Sequence, residues 1–284
     1  MTFSVGIRAG YVAALAALAG AALSGGAIAG ERPNAPDLDV PYVPTPMPAV
    51  EMMLDMGQVE AGDRVIDLGS GDGRIAIAAA ERGAEVLGVD LDPDRVSEAQ
   101  ENAEQAGVTD RVEFREENLF DTPIADADVL TLYLLPSVNI DLRPKILADM
   151  RPGARVVSHA FDMRNWHADS TRTVEGRMLY LWIVPADVEG RWTLSREGQA
   201  PVQIALSQRF QKIRGSAEQS GQALEIGSLL LRGEHIAFTL GEGENRQRYY
   251  GRVSGDRIES VAPVEALKRA GESVTEAWQA ERES

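Results

Sequence analysis

The sequence predicts an α/β fold with a mostly parallel sheet, followed by a small antiparallel β barrel or sandwich. Two short apolar runs that end in acids, residues 65–68 and 85–90, flank a glycine-rich turn and a helix-like stretch. This alternation of strand, turn, helix and strand is typical of parallel sheets that bind a ligand at the carboxyl ends of their strands. After residue 185, short alternating stretches separated by glycine-bearing turns indicate antiparallel strands.

The turn between the first strand and its helix is the most informative motif, since residues 65–74 read VIDLGSGDGR. Glycines at every second position bring bare backbone N–H groups close to a ligand. A dinucleotide-binding turn needs the pattern G-x-G-x-x-G/A, and Arg74 stands where that pattern requires a small residue. The motif therefore argues against a dinucleotide.

The pattern D-x-G-x-G-x-G resembles the glycine loop of class I S-adenosylmethionine (SAM) methyltransferases. This resemblance implies a Rossmann-like sheet of seven strands and SAM as the cofactor. It places the carboxylate of Asp67 near the ammonium end of SAM. The loop residues that it implies as cofactor contacts are Gly69, Ser70, Gly71 and Gly73.

The second strand ends in Asp90, about 20 residues after the glycine loop, a spacing at which a carboxylate can bind both ribose hydroxyls. The resemblance also implies Leu91, the next residue, as a cofactor contact. Asp92 then has the features of a helix N-cap, and Gly107 closes that helix. The alternative is that Asp90 only caps a turn.

The third strand, predicted at residues 111–114, is followed by Asn118 and Leu119. Methyltransferases of this class commonly place an Asp and an apolar residue here, against the adenine amine and ring. The resemblance assigns that role to Asn118, whose amide oxygen can accept the same hydrogen bond, and to Leu119. The alternative for this stretch is a solvated acidic turn.

A narrower resemblance joins residues 41–45, which read PYVPT, to the DLGSGDGR motif. This combination is similar to the ATP synthase c-subunit lysine methyltransferase family and its bacterial relatives, and the similarity covers roughly residues 40–167. It implies protein-lysine N-methylation, with Tyr42 and Thr45 closing over the methionine end of SAM. Thr45 also has the features of a helix N-cap, and Tyr42 could instead be a packed aromatic residue.

Candidate catalytic residues lie at the ends of the predicted fourth and fifth strands, residues 127–135 and 154–160. An amine must be neutral when it attacks a methyl group, so a lysine with a pKa near 10.4 must first lose a proton. Tyr133, His159 and Asp162 are the candidates for this step, and each could instead be structural. The N-P-P-Y motif of amide- and base-methylating enzymes is absent from this strand end.

The composition constrains partners and metal chemistry. The chain has 28 basic and 44 acidic residues, a net charge of −16, which repels nucleic acid and suits a cationic partner. It has no cysteine, so it has no disulfide, thiolate metal site or cysteine nucleophile. Three dispersed histidines make a poor ligand set, and we predict no metal site.

Five segments are predicted along the chain. Residues 1–29 resemble a signal peptide or a membrane anchor, because Arg8 precedes an apolar stretch and Ala27-Ile28-Ala29 forms an A-x-A site. An exported (periplasmic) or membrane-anchored location follows, in conflict with the cytoplasmic supply of SAM. The other segments are a proline-rich stretch (30–45), a methyltransferase domain (46–185), a small β domain (186–262) and a C-terminal helix (263–284).

The sequence therefore favours a SAM-dependent methyltransferase, with protein-lysine N-methylation implied by the family resemblance. The expected partner is a protein with an exposed lysine, with no nucleic acid and with membrane association through the N-terminal segment as an open option. A small-molecule methyltransferase and an exported, non-catalytic SAM-binding protein remain as alternatives.

Overall fold

Two sheets organise the part of the chain that the computed structural model describes, which comprises residues 43–263, residue 267 and residues 277–283. One sheet has seven strands and the other has nine. A mixed sheet followed by a nearly closed antiparallel sheet confirms the predicted fold class. The predicted leader, most of the proline-rich segment and Tyr42 lie outside the described residues.

The seven-stranded sheet contains β1 (Arg64–Leu68), β2 (Glu85–Asp90), β3 (Val112–Glu116), β4 (Val129–Leu132), β5 (Arg155–His159), β6 (Ser170–Val174) and β7 (Arg177–Ile183). Their order is β3-β2-β1-β4-β5-β7-β6. The first five strands are parallel, and β7 is antiparallel to both of its neighbours. The order reverses between β1 and β4, and a ligand crevice is expected at the carboxyl ends of these strands.

Helices cover both faces of this sheet. The helices are α1 (Met47–Met56), α2 (Arg74–Glu81), α3 (Pro93–Ala106) and α4 (Pro136–Asp149). Side chains alternate between the two faces of a strand, so Val65 packs with α1–α3 and Ile66 packs with α4. Both side chains are fully buried, which fixes the register of β1 between the two layers.

The helix boundaries partly follow the predictions. Asp92 is the N-cap of α3 and accepts a hydrogen bond from the Asp94 N–H, while Gly107 ends the helix in the left-handed region. The N-cap of α1 is Pro46, so the prediction that Thr45 caps this helix was wrong. Helix α4 begins at Pro136, because proline at the first helical position needs no N–H partner.

The nine-stranded sheet contains β8 (Gly190–Arg196), β9 (Val202–Arg209), β10 (Lys212–Gln219), β11 (Gln222–Leu224), β12 (Ile226–Arg232), β13 (His235–Leu240), β14 (Gln247–Ser254), β15 (Arg257–Ser260) and β16 (Trp278–Arg282). A short 3₁₀ helix, Gly243–Asn245, precedes β14. The order is β11-β10-β9-β8-β16-β15-β14-β13-β12, and β10 also contacts β12, which nearly closes the sheet into a barrel.

Aromatic side chains fill the interior of this barrel. The rings of Phe238 and Tyr249 stack with centroids 5.1 Å apart, and Trp278 meets both edge-on at 5.6 Å. Trp192 is also buried in this core. Edge-to-face and offset contacts of this kind are favourable arrangements for aromatic rings, so this sheet has a core of its own.

Two predictions for the second half of the chain were wrong or incomplete. Residues 278–282 were expected in a helix, but they form β16, which pairs with β8 and β15. The two buried residues of this segment, Trp278 and Ala280, alternate with polar ones, and pairing on both sides outweighs helix propensity. Residues 264–266, 268–276 and 284 of that predicted helix lie outside the described residues. Strand β10 was missed because Gly215 and polar residues interrupt its pattern. The domain limit at residues 185–186 falls between β7 and β8 and remains a prediction.

Candidate active site

A cleft lies at the carboxyl ends of β1, β2 and β4, where the strand order predicts a ligand. It encloses about 860 Å³, including the space open to solvent, which is within the ~300–1,000 Å³ usual for small-molecule sites. Eight residues predicted from the sequence to bind the cofactor or to act in catalysis line it: Thr45, Gly69, Ser70, Gly71, Asp90, Leu91, Leu119 and Tyr133.

The glycine loop joins β1 to α2 along the floor of this cleft. Gly69, Gly71 and Gly73 have φ angles of 78°, 54° and 81°, a region that favours glycine. Gly73 is the N-cap of α2, and a Cβ atom there would lie 2.6 Å from Cζ of Phe114. The loop therefore needs glycine both for its backbone conformation and for its close packing, and it presents the N-terminus of α2 to the cleft.

Asp90, at the end of β2, is fixed by backbone groups on both sides. Its Oδ2 accepts a hydrogen bond from the Gly71 N–H at 2.9 Å, and its Oδ1 accepts one from the Asp92 N–H at 3.0 Å. The residue is only partly buried and lines the cleft. Asp90 thus caps a turn and also presents lone pairs that can accept hydrogen bonds from a diol.

Asp67 lies beneath the loop at the end of β1, and its side chain is 1% exposed. Oδ1 accepts a hydrogen bond from the Thr131 hydroxyl at 2.6 Å, while Oδ2 is buried with no hydrogen-bond partner among the described residues. Burial raises the pKa of Asp67 to about 7, opposed by the Thr131 bond and reinforced by Asp90 and Asp72. A carboxylate in this position favours a cation in the neighbouring cleft.

Arg74 connects the glycine loop to the segment before α1. Its Nε and Nη2 donate to the carboxylate of Asp72, and its Nη1 donates to the Thr45 carbonyl oxygen at 2.9 Å. The Thr45 hydroxyl in turn lies 3.1 Å from Nδ1 of His159. This role of Arg74 was not predicted from the sequence, although its place directly after the third glycine was the available signal.

Tyr133 and His159 lie together at the ends of β4 and β5, with ring centroids 4.1 Å apart. Nη1 of Arg177 donates to the Tyr133 hydroxyl at 2.6 Å, a partner with no signal in the sequence. His159 is fully buried, and burial, with a smaller effect from Arg177, lowers its pKa to about 4. His159 is therefore neutral at pH 7, and its properties suit support of the Tyr133 ring better than proton removal from an amine.

Asp162 and Asn118 are two further predicted residues that do not line the cleft, in addition to Asp67, Gly73 and His159. Asp162 is exposed, and its Oδ1 accepts a hydrogen bond from the Arg164 N–H at 3.1 Å. Asn118 is exposed, and its Oδ1 accepts one from the Phe120 N–H at 3.0 Å. Glu117 lines the cleft beside Leu119 instead. The assigned roles of Asp162 and Asn118 remain predictions.

The chemistry of these residues fits SAM. The ligand has a sulfonium and an ammonium group, which the buried carboxylate of Asp67 favours, and a ribose diol, which Asp90 can bind. The hydroxyl oxygen of Ser70 is buried at the cleft with no hydrogen-bond partner among the described residues. A polar ligand in the cleft could satisfy this group.

Comparison with known proteins gives the same assignment. The family model of the ANTKMT methyltransferase domain matches residues 67–170. A protein-lysine N-methyltransferase of Saccharolobus islandicus is 42% identical over 151 residues, which is 51% of this chain and 94% of that protein. The mouse adenine nucleotide translocase lysine N-methyltransferase is 36% identical over 45% of this chain and 56% of its own length.

A solved structure is also similar. An RNA methyltransferase from Salinibacter ruber, crystallised with S-adenosyl-L-homocysteine, is 50% identical with a TM-score of 0.50. The match covers 51% of this chain and 96% of the Salinibacter chain. SAM is accordingly the cofactor, since S-adenosyl-L-homocysteine is what remains of SAM after methyl transfer.

SAM binding should weaken as the pH falls through 7. Between about pH 8 and about pH 6 we expect the dissociation constant to rise about fivefold, because protonated Asp67 loses the charge that favours the cationic ligand. Calorimetric titration of the wild-type protein and of Asp67→Asn measures this, and the variant's affinity should vary less than about twofold over the same range.

The stability of the variant provides the control. The pKa of Asp67 is raised in the folded state, so its contribution to stability is present at low pH and is lost as the pH rises through about 7. Asp67→Asn should therefore be at least as stable as the wild type at pH 8. An equal pH dependence of SAM binding in both proteins would contradict the assignment of this effect to Asp67.

The glycine loop, the two strand-end carboxylates and the similarity over nearly the full length of two relatives lead to one conclusion. The chain belongs to the class I SAM-dependent methyltransferase family that includes the protein-lysine N-methyltransferase of Saccharolobus islandicus.

Proposed function

We propose that this methyltransferase transfers the methyl group of SAM to the side-chain amine of a lysine in a protein. The observation that carries the proposal is the 42% identity to a protein-lysine N-methyltransferase over 94% of that relative's length. The family model and the mouse relative, which is named for a lysine acceptor, support the same acceptor chemistry.

The distribution of charge supports a cationic acceptor. Residues 46–185 contain 26 Asp and Glu against 13 Lys and Arg, whereas residues 186–262 contain 10 of each. Half of the chain therefore carries most of the net charge of −16, and this half contains the cleft. Such a surface attracts a lysine-rich segment and repels phosphates, which favours protein over RNA, the acceptor named for the Salinibacter relative.

The cleft positions the reacting groups and gives them surroundings of low polarity. When bound, SAM supplies an electrophilic methyl group on its sulfonium. Tyr133 and Leu134, which follow β4, line the cleft together with Val43. Apolar walls favour the neutral form of an amine, and the Tyr133 hydroxyl, oriented by Arg177, can accept an N–H of that amine and align its lone pair.

Methyl transfer from tritium-labelled SAM by the full chain tests the acceptor. We expect label in a lysine-rich histone mixture, and loss of label when the lysines of the same mixture are acetylated beforehand. Total cellular RNA serves as the competing acceptor. Labelling of RNA, or equal labelling of blocked and unblocked histones, would overturn the lysine assignment.

We also propose that residues 1–29 direct the chain out of the cytoplasm or anchor it in a membrane. Arg8, the apolar stretch that follows it and the A-x-A site at 27–29 support this proposal. Among residues 43–263, 267 and 277–283, no helix has the length and apolarity to cross a membrane. Cell fractionation with mass measurement of the recovered chain tests the proposal, and a full-length chain found only in the cytoplasm would overturn it.

A further inference from the structure

The loop between β5 and β6, residues 160–169, lies next to Tyr133, which lines the cleft. The ring of Phe161 lies 6.3 Å from the ring of Tyr133 at an interplanar angle of 21°. Ala160 and Arg164 have φ angles of 66° and 57°, a region that non-glycine residues seldom adopt. Such a loop keeps its conformation only when surrounding contacts hold it.

Part of this support comes from the methyltransferase sheet and α4. The Phe161 carbonyl oxygen accepts hydrogen bonds from Nδ2 of Asn139 at 3.2 Å and from the Ser158 hydroxyl at 2.8 Å. Asn139 and Ser158 are both fully buried. These bonds fix the start of the loop next to β5, but they do not reach its second half.

The second half of the loop is held by β7, where Nε1 of Trp182 donates to the Trp166 carbonyl oxygen at 2.8 Å, and also by the turn between β9 and β10, which belongs to the other sheet. The ring of Phe210 stacks on the fully buried Trp166 with centroids 5.9 Å apart and an interplanar angle of 19°. Nε2 of Gln211 donates to the His167 carbonyl oxygen at 2.6 Å. Phe210 itself has a φ of 57°, so the turn is shaped to present this side chain.

Arg143 of α4 connects these contacts. Its guanidinium lies 5.5 Å from the centre of the Phe210 ring, and its Nη1 donates to the Met163 carbonyl oxygen at 3.0 Å and to Oδ1 of Asn165 at 2.6 Å. One aromatic side chain from the second sheet is therefore packed between Trp166 of the loop and an arginine that binds the same loop.

We infer that Phe210 is a positioning residue for the methyl acceptor: it holds the β5–β6 loop in the shape that keeps Phe161 against Tyr133. The inference rests on the proposed function, and it means that the nine-stranded sheet helps to position the methyl acceptor. SAM binding should not depend on Phe210, because neither Phe210 nor Gln211 lines the SAM cleft. A shift of about 1 Å in a positioning group can lower a rate by up to ~100-fold.

Phe210→Ala in the full chain tests the inference with two separate measurements. Hydrogen exchange should speed up about tenfold in residues 160–169 and stay unchanged in the glycine loop. With the lysine-rich histone mixture as the methyl acceptor, kcat/KM for the acceptor should fall about tenfold. The dissociation constant for SAM should stay within about twofold of the wild-type value.

Two variants control for indirect effects. Ser220→Ala changes an exposed residue in the β10–β11 turn with a φ of 53°, and it should leave both measurements unchanged. Phe210→Tyr keeps the ring and should behave as the wild type. If Phe210→Ala does not fold, Gln211→Ala, which removes the hydrogen bonds to the His167 carbonyl oxygen and to Asp169, should change both measurements in the same direction by a smaller factor.

The outcomes separate the inference from the proposed function. Unchanged exchange in residues 160–169 of a folded Phe210→Ala protein overturns the inference, whatever the acceptor. Faster exchange with unchanged acceptor kcat/KM also overturns it. Failure of the wild type to label the histones overturns the lysine assignment, and the exchange measurement still decides whether Phe210 holds the loop.

Discussion

The hydrogen bond from the Gly71 N–H to Asp90 is the contact on which the site depends. It joins the glycine loop after β1 to the end of β2, so that the loop backbone and the Asp90 carboxylate hold each other in position. Parallel pairing of β1 with β2 brings the two ends together, and glycine is needed because the loop backbone has positive φ at three positions. Because Asp90 is already held by two backbone donors, little ordering remains to be done when a diol binds.

Charge and burial then determine which ligand the cleft binds best. Asp67 lies under the loop, and its Oδ2 has no hydrogen-bond partner among the residues that the structure describes, which is costly until a cation comes near. Arg74, the cation of the same loop, donates to the Asp72 carboxylate and to the Thr45 carbonyl oxygen. We propose that the acidic composition of residues 46–185 extends the same preference from the cofactor to a lysine amine.

Much of this could be predicted from the sequence, because the decisive signals are local. The D-x-G-x-G-x-G pattern, the acid about 20 residues later and the alternating apolar runs predict the parallel strands around the site, and with the family resemblance they predict the seven-stranded sheet and eight of the eighteen residues that line the cleft. Contacts between distant segments have no such signal: Arg177 reaches Tyr133 across 44 positions, and Phe210 reaches Trp166 from the other sheet. Strand β16 was missed for the same reason, since its partners β8 and β15 decide its conformation.

The most direct test of this account is calorimetric titration of the full chain with SAM, beside Asp90→Ala and Glu116→Ala. Glu116 is an exposed acid that lies opposite Asp90 in the β2–β3 register and outside the cleft lining, so it controls for charge alone. We expect the wild type and Glu116→Ala to bind SAM alike and Asp90→Ala to bind about 10–100-fold more weakly, the size of a lost hydrogen bond to a charged group. Equal binding by wild type and Asp90→Ala, or no binding by the folded wild type, would contradict the account.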